Sequence, residues 1–131
     1  MLFRSVLASQ TAGDYLLVTN PAEWSTTSTT YVKLKETKVG VGGTFRIKFS
    51  LAKDASLAYG QIYRNGAAVG TEQSTSSVYP TFVEFSEDIG GWSPGDLIQV
   101  YVKRSGGTIS YVKDLDIYTA APPIAGGHVS Y

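Results

Sequence analysis

The residues able to do chemistry in this 131-residue chain are mostly carboxylates and aromatics. Asp114 and Asp116 are spaced i, i+2, which on a strand puts both side chains on one face. Two carboxylates facing a cleft are the acid and base of glycoside hydrolysis. The same spacing fits a solvated strand face opposite Leu115 and Ile117, and that plainer reading is carried forward, so no catalytic residue is assigned. Glu87-Asp88 forms a second acidic pair. Asp54, Asp88 and Asp96 stand near turn residues, where carboxylate oxygens either ligate calcium or cap the turn. No loop has the dense Asp/Asn spacing of a calcium site, so capping is expected, with no metal and no cofactor. His128 is the single histidine and there is no cysteine, which leaves no material for a histidine triad, a multi-histidine metal site, thiolate ligands or a thiol nucleophile. Gly40-Val41-Gly42-Gly43 lacks the lysine and helix that make a glycine loop a phosphate cradle. Trp24 and Trp92, with nine tyrosines, have the flat faces that stack on sugar rings, and they serve equally well as plugs at the ends of a β-sandwich core.

The elements that position these side chains are strands. No window has apolar residues at i, i+3, i+4 and i+7 over three turns, so helices are expected to be short or absent. Phe45, Ile47, Phe49 and Leu51 alternate with Arg46, Lys48 and Ser50 over residues 44–52, which predicts one buried and one wet face. Further strands are expected over 14–20, 30–39, 57–64, 67–73, 81–88, 97–104 and 109–119. In the 30–39 strand Val32 and Leu34 share one face, opposite Tyr31, Lys33 and Lys35. In the 97–104 strand Ile98, Val100 and Val102 lie opposite Leu97, Gln99 and Tyr101. Asn65-Gly66 is the dipeptide best suited to the positive φ angles of a two-residue hairpin turn. Gly60 and Gly70 flank that turn and mark a bulge or a close backbone approach. Residues 90–96 read as a turn by composition. Short turns joining about eight strands without helical crossovers build an all-β antiparallel sandwich or jelly roll in a single domain over 1–131. The expected core is Phe45, Ile47, Phe49, Leu51, Val83, Phe85, Ile98, Val100 and Val102. Residues 1–12 read as an anchoring arm or first edge strand, and 120–131 as an irregular tail.

Charge narrows the partners. Lys+Arg and Asp+Glu number 11 each, so the chain is formally neutral and has no electrostatic reason to seek nucleic acid or an anionic membrane. No run of apolar residues is long enough to span a bilayer as a helix. The opening Met1–Ser9 segment is too short for a signal peptide, which points to synthesis in a cytoplasm. Low charge and abundant Tyr, Thr and Ser suit a subunit interface. Tyr31, Leu97 and Tyr101 lie opposite their strands' inward residues and are the candidate contact positions.

The runs Ile62–Glu72 (IYRNGAAVGTE), Val83–Ile89 (VEFSEDI) and Gly91–Tyr101 (GWSPGDLIQVY) resemble small jelly-roll modules of tailed-phage and other viral structural proteins, akin in shape to C1q and tumour-necrosis-factor domains. The likeness covers roughly residues 57–118. It implies a non-enzymatic role as a capsid decoration protein, tail component or receptor-binding head, generally trimeric. A major capsid or tail protein would then be its partner and the virion its location. The chain departs from long fibres in having no coiled-coil heptads and no N-terminal shaft, which favours decoration. A carbohydrate-binding module or receptor-binding head, using Trp24, Trp92 or exposed tyrosines, is the alternative.

Overall fold

The computed structural model describes Gly13, residues 15–106 and residues 109–120. The expectations for the 1–12 arm, for His128 and for the tail beyond residue 120 lie outside these residues.

Ten strand segments are present: β1 (Tyr15–Asn20), β2 (Trp24–Thr26), β3 (Val32–Lys38), β4 (Gly43–Lys53), β5 (Ala58–Arg64), β6 (Ala67–Ala68), β7 (Gln73–Thr75), β8 (Val83–Trp92), β9 (Leu97–Arg104) and β10 (Ser110–Thr119). They occupy eight strand positions. β1 and β2 both pair with β10, so they are one strand broken at Pro21, and β6 and β7 both pair with β5 as one return strand broken at 69–72. The first sheet runs β1/β2, β10, β4, β8, and the second runs β3, β9, β5, β6/β7. Every ladder is antiparallel. The chain is an all-β jelly roll whose two sheets enclose one core.

Phe45, Ile47, Phe49, Leu51, Ile98, Val100 and Val102 are buried as the alternation predicts, and Ile62, Val112, Leu115 and Ile117 join them. Two expected core positions differ. Val83 is 38% exposed, and Phe85 is only half-buried against the core. Both lie on β8, the free edge of the first sheet. The broken β6/β7 strand gives that edge only partial cover.

The break has its own chemistry. Val69 and Gly70 both donate backbone N–H bonds to Ile62 O, which curls the chain off the ladder. The next N–H, on Thr71, is received by the Glu87 carboxylate at 3.0 and 3.2 Å. Glu87 pairs opposite Ile47 and so sits on the inward side of β8. An acid there satisfies the broken strand and discourages edge-to-edge pairing. Gly70 meets Ile62 as a close approach. Gly60 instead faces core side chains, because a Cβ there would lie 2.9 Å from Phe49 and 3.0 Å from Leu51.

Asn65 and Gly66 have φ of 50° and 88°, the two positive angles of the predicted hairpin turn. The expected turn over 90–96 begins only at Ser93. Gly90-Gly91 stays within β8, with Gly91 at φ 83° where the ladder to β4 shifts register.

Candidate interaction face

The outward face of the second sheet gathers four tyrosines among lysine, glutamate and glutamine side chains. Register sets it out in rows. Lys33, Tyr101 and Gln61 stand side by side across β3, β9 and β5, and Glu36, Gln99 and Tyr63 form the next row. Lys103 pairs with Tyr59, and Tyr31, just before β3, reaches the same end of the face.

A bulge makes this arrangement possible. The β3–β9 register shifts between Lys33 and Lys35, so one extra residue resets the alternation. Lys33 and Glu36 therefore point the same way and form a 2.7 Å ion pair, which an unbroken strand would place on opposite faces. The shift also overturns one expectation. Lys35, predicted to share the outer face with Tyr31 and Lys33, is turned inward and only 3% exposed.

The tyrosines form a connected group. Tyr63 and Tyr101 stack at 3.7 Å between ring centroids, and Tyr31 lies 6.2 Å from Tyr63. The Lys103 ammonium sits 4.7 Å from the Tyr31 ring and 5.2 Å from the Tyr59 ring, a cation held against two aromatic faces. Tyr31 Oη donates to Glu72 Oε2 at 2.6 Å, and Lys103 Nζ is 3.6 Å from the same carboxylate. Burial and that hydrogen bond raise the Tyr31 phenol well above its ordinary range. The Lys33 and Gln99 donors hold the Glu36 carboxyl low, and Glu36 in turn raises Lys33. Gln99 is 4% exposed: its Nε2 donates to Glu36 and its Oε1 receives the Gly66 N–H at 2.8 Å. The face is thus preorganised, with its polar groups already oriented by one another.

Of the three candidate contact positions, Tyr31 and Tyr101 are brought together through Tyr63. Leu97 shares the face but stands four residues from Tyr101, roughly 13 Å along the strand. It lies at the end where its backbone bonds Asn65. Tyr59 and Tyr63 were missed as face residues. Their i, i+4 spacing in the 57–64 strand, two full periods of two, carried the signal.

The two tryptophans separate. Trp92 is 4% exposed, stacked 6.2 Å from Phe45, with Nε1 donating to Ile89 O and the Arg64 guanidinium over its ring at 5.3 Å. It plugs the core and offers no face for a sugar. Trp24 is 56% exposed on the opposite edge.

The carboxylates are engaged locally. Asp54 Oδ1 receives the Ile109 N–H, Asp88 grips Arg46 through both oxygens, and Asp96 receives Ser93 N–H and Asn65 Nδ2. The Asp114/Asp116 pair is not the simple strand-face pair that spacing predicts. A bulge against β4 places Asp114 at φ 58°, while Asp116 stays in register opposite Lys48 and accepts from Thr19 Oγ1 at 2.7 Å. Among the described residues no three His, Cys, Asp or Glu side chains converge as a metal site.

Neither the known protein-family profiles nor the curated protein sequences give a match to this chain. Solved structures match its shape. The C-terminal domain of EclA, described as a sugar-binding protein, superposes with a TM-score of 0.56 at 13% identity, over 83% of this chain and 89% of that one. A family 35 carbohydrate binding module from Clostridium thermocellum gives 0.53 at 13% identity, over 79% and 98%. A chain of infectious bursal disease virus, Gx strain, gives 0.55 at 14% identity, over 83% of this chain and 34% of the viral one. At such identities the likeness is one of fold: this is a jelly-roll module.

Proposed function

We propose that the chain is a non-enzymatic structural module that self-associates through the tyrosine face of the second sheet. Three copies around an axis would form a capsid decoration or tail component of a virion. The observation that carries this reading is the set Tyr31, Tyr59, Tyr63 and Tyr101 on the outside of a sheet whose inside is already apolar core. Such a sheet has a second, aromatic-rich surface suited to a partner, and aromatic enrichment marks interface centres. Repeating one patch around a symmetry axis needs no second protein. The resemblance of the 62–72 and 91–101 segments to viral modules supports the same reading. Light scattering is expected to give three times 14.1 kDa. A monomer at high micromolar concentration would overturn self-association.

Exposed Trp24 favours a second reading, carbohydrate binding, and two of the proteins that share the fold are described as binding sugars. Affinity electrophoresis through polysaccharide gels separates the two. Retardation that disappears in Trp24→Ala, with a monomeric mass, would establish the second reading in place of the first.

A further inference from the structure

Lys35 is the one lysine buried among the described residues, and it crosses between the sheets. From β3, at the edge of the second sheet, its Nζ donates to Asn20 Oδ1 at 3.0 Å and also to Ala22 O. Asn20 ends β1, at the matching edge of the first sheet, and pairs with Leu115. The acids Asp114 and Asp116 flank Leu115, and their charge favours the Lys35 ammonium, a smaller effect than the opposing one of burial. The bulge in β3 turns this amine inward.

We propose that Lys35 and Asn20 are a modification site: the amine and the carboxamide condense, within one chain, to an isopeptide bond that staples the two sheets. The geometry is that of neighbouring reactants. Cγ lies one C=O bond, about 1.2 Å, behind the oxygen that Nζ already contacts, so nitrogen and carbon are within roughly 4.2 Å. Near-attack distances of about 3–3.5 Å then need only a small side-chain rotation.

The surroundings favour the reaction. Burial lowers the Lys35 ammonium below its ordinary range, which frees the lone pair more readily. Asn20 Nδ2 donates to Glu36 O at 3.3 Å, so the amide is held from its nitrogen end while its carbonyl faces the amine. Asparagine's usual competing loss, attack by the next backbone nitrogen, is closed here because the next residue is Pro21, which has no N–H.

The step balances. The Lys35 ammonium gives one proton to water, and the amine lone pair attacks Asn20 Cγ. A second proton moves from Nζ to Nδ2, the Nζ–Cγ bond is kept, and the Cγ–Nδ2 bond breaks. Ammonia departs and takes up a proton from water, leaving as ammonium. Nothing is oxidised or reduced.

Intact-mass spectrometry of the purified full chain tests this directly. The expected mass is lower than that of the sequence by one ammonia, and proteolysis is expected to yield one branched peptide joining the segments that contain Asn20 and Lys35. Lys35→Arg and Asn20→Ala should each restore the sequence mass. Lys35→Arg keeps the charge; its folding is checked by circular dichroism, and Asn20→Ala provides the second, independent arm. The full sequence mass after prolonged incubation of wild-type protein would overturn the proposal. Ammonia loss that persists in Lys35→Arg, or that maps to another residue, would do the same.

Discussion

Phe49 packs 5.9 Å from Phe85 and fills the space that Gly60 leaves for it, so the core has little slack at this residue. Phe49→Ala is expected to cost about 3–5 kcal/mol in urea denaturation, since the neighbours are held by ladders and cannot collapse into the void. Asp96 makes a different kind of contribution. The Ser93 N–H, then Asn65 and Arg64, hold its carboxyl below the ordinary aspartate value of 3.8. A carboxyl depressed on folding stabilises the protein above the unfolded value, and that stabilisation is lost as pH falls through the folded one. The urea midpoint of wild type should therefore exceed that of Asp96→Asn at neutral pH. The gap should close as pH falls from about 5 to about 2, because the wild-type carboxyl becomes neutral too.

The turns and bulges decide where side chains point, and they test separately. Gly66 has open space around it, so a substituted side chain there meets only backbone strain at φ 88°. Gly66→Val should cost more than about 1 kcal/mol, and Gly66→Asn, which tolerates positive φ, clearly less. Gly60→Ala should also destabilise, by steric overlap with Phe49 and Leu51, at a position with no positive φ. Equal melting of Gly66→Val and Gly66→Asn would contradict the turn assignment. These elements also mark what can be read from sequence. Period-two alternation located β4 and β9, and Asn65-Gly66 located the hairpin, because each signal is local. Lys35 misled because a bulge resets parity through pairing with β9, which nothing in VKLKETK announces. Val83 misled because its exposure depends on how much of the facing strand exists. The face chemistry was half legible: Tyr31 and Tyr101 were found by parity, whereas their link through Tyr63 arises only when β5 and β9 pair.

Taken as one body, the jelly roll has an aromatic face on the second sheet and an acid-guarded free edge at β8. Assembly through that face should make the melting temperature rise with protein concentration, because association stabilises only the folded chain. Tyr101→Glu should remove that dependence and yield a folded monomer, burying an unpaired charge being unfavourable at a contact. An unchanged mass for Tyr101→Glu would move the contact elsewhere. Finally, β10 occupies the interior of the first sheet, with β1/β2 on one side and β4 on the other. A ribosome delivering this chain therefore releases β1, β2 and the β4–β8 pair before the strand that joins β1/β2 to β4 exists. Until residues 110–119 emerge, β4 has a bare flank beside its apolar stripe, and the nascent protein must wait unclosed. Synthesis at about 5–20 residues per second makes that interval last several seconds. It is the period in which trigger-type chaperones, or early contact with sister chains on the same polysome, would matter most to yield.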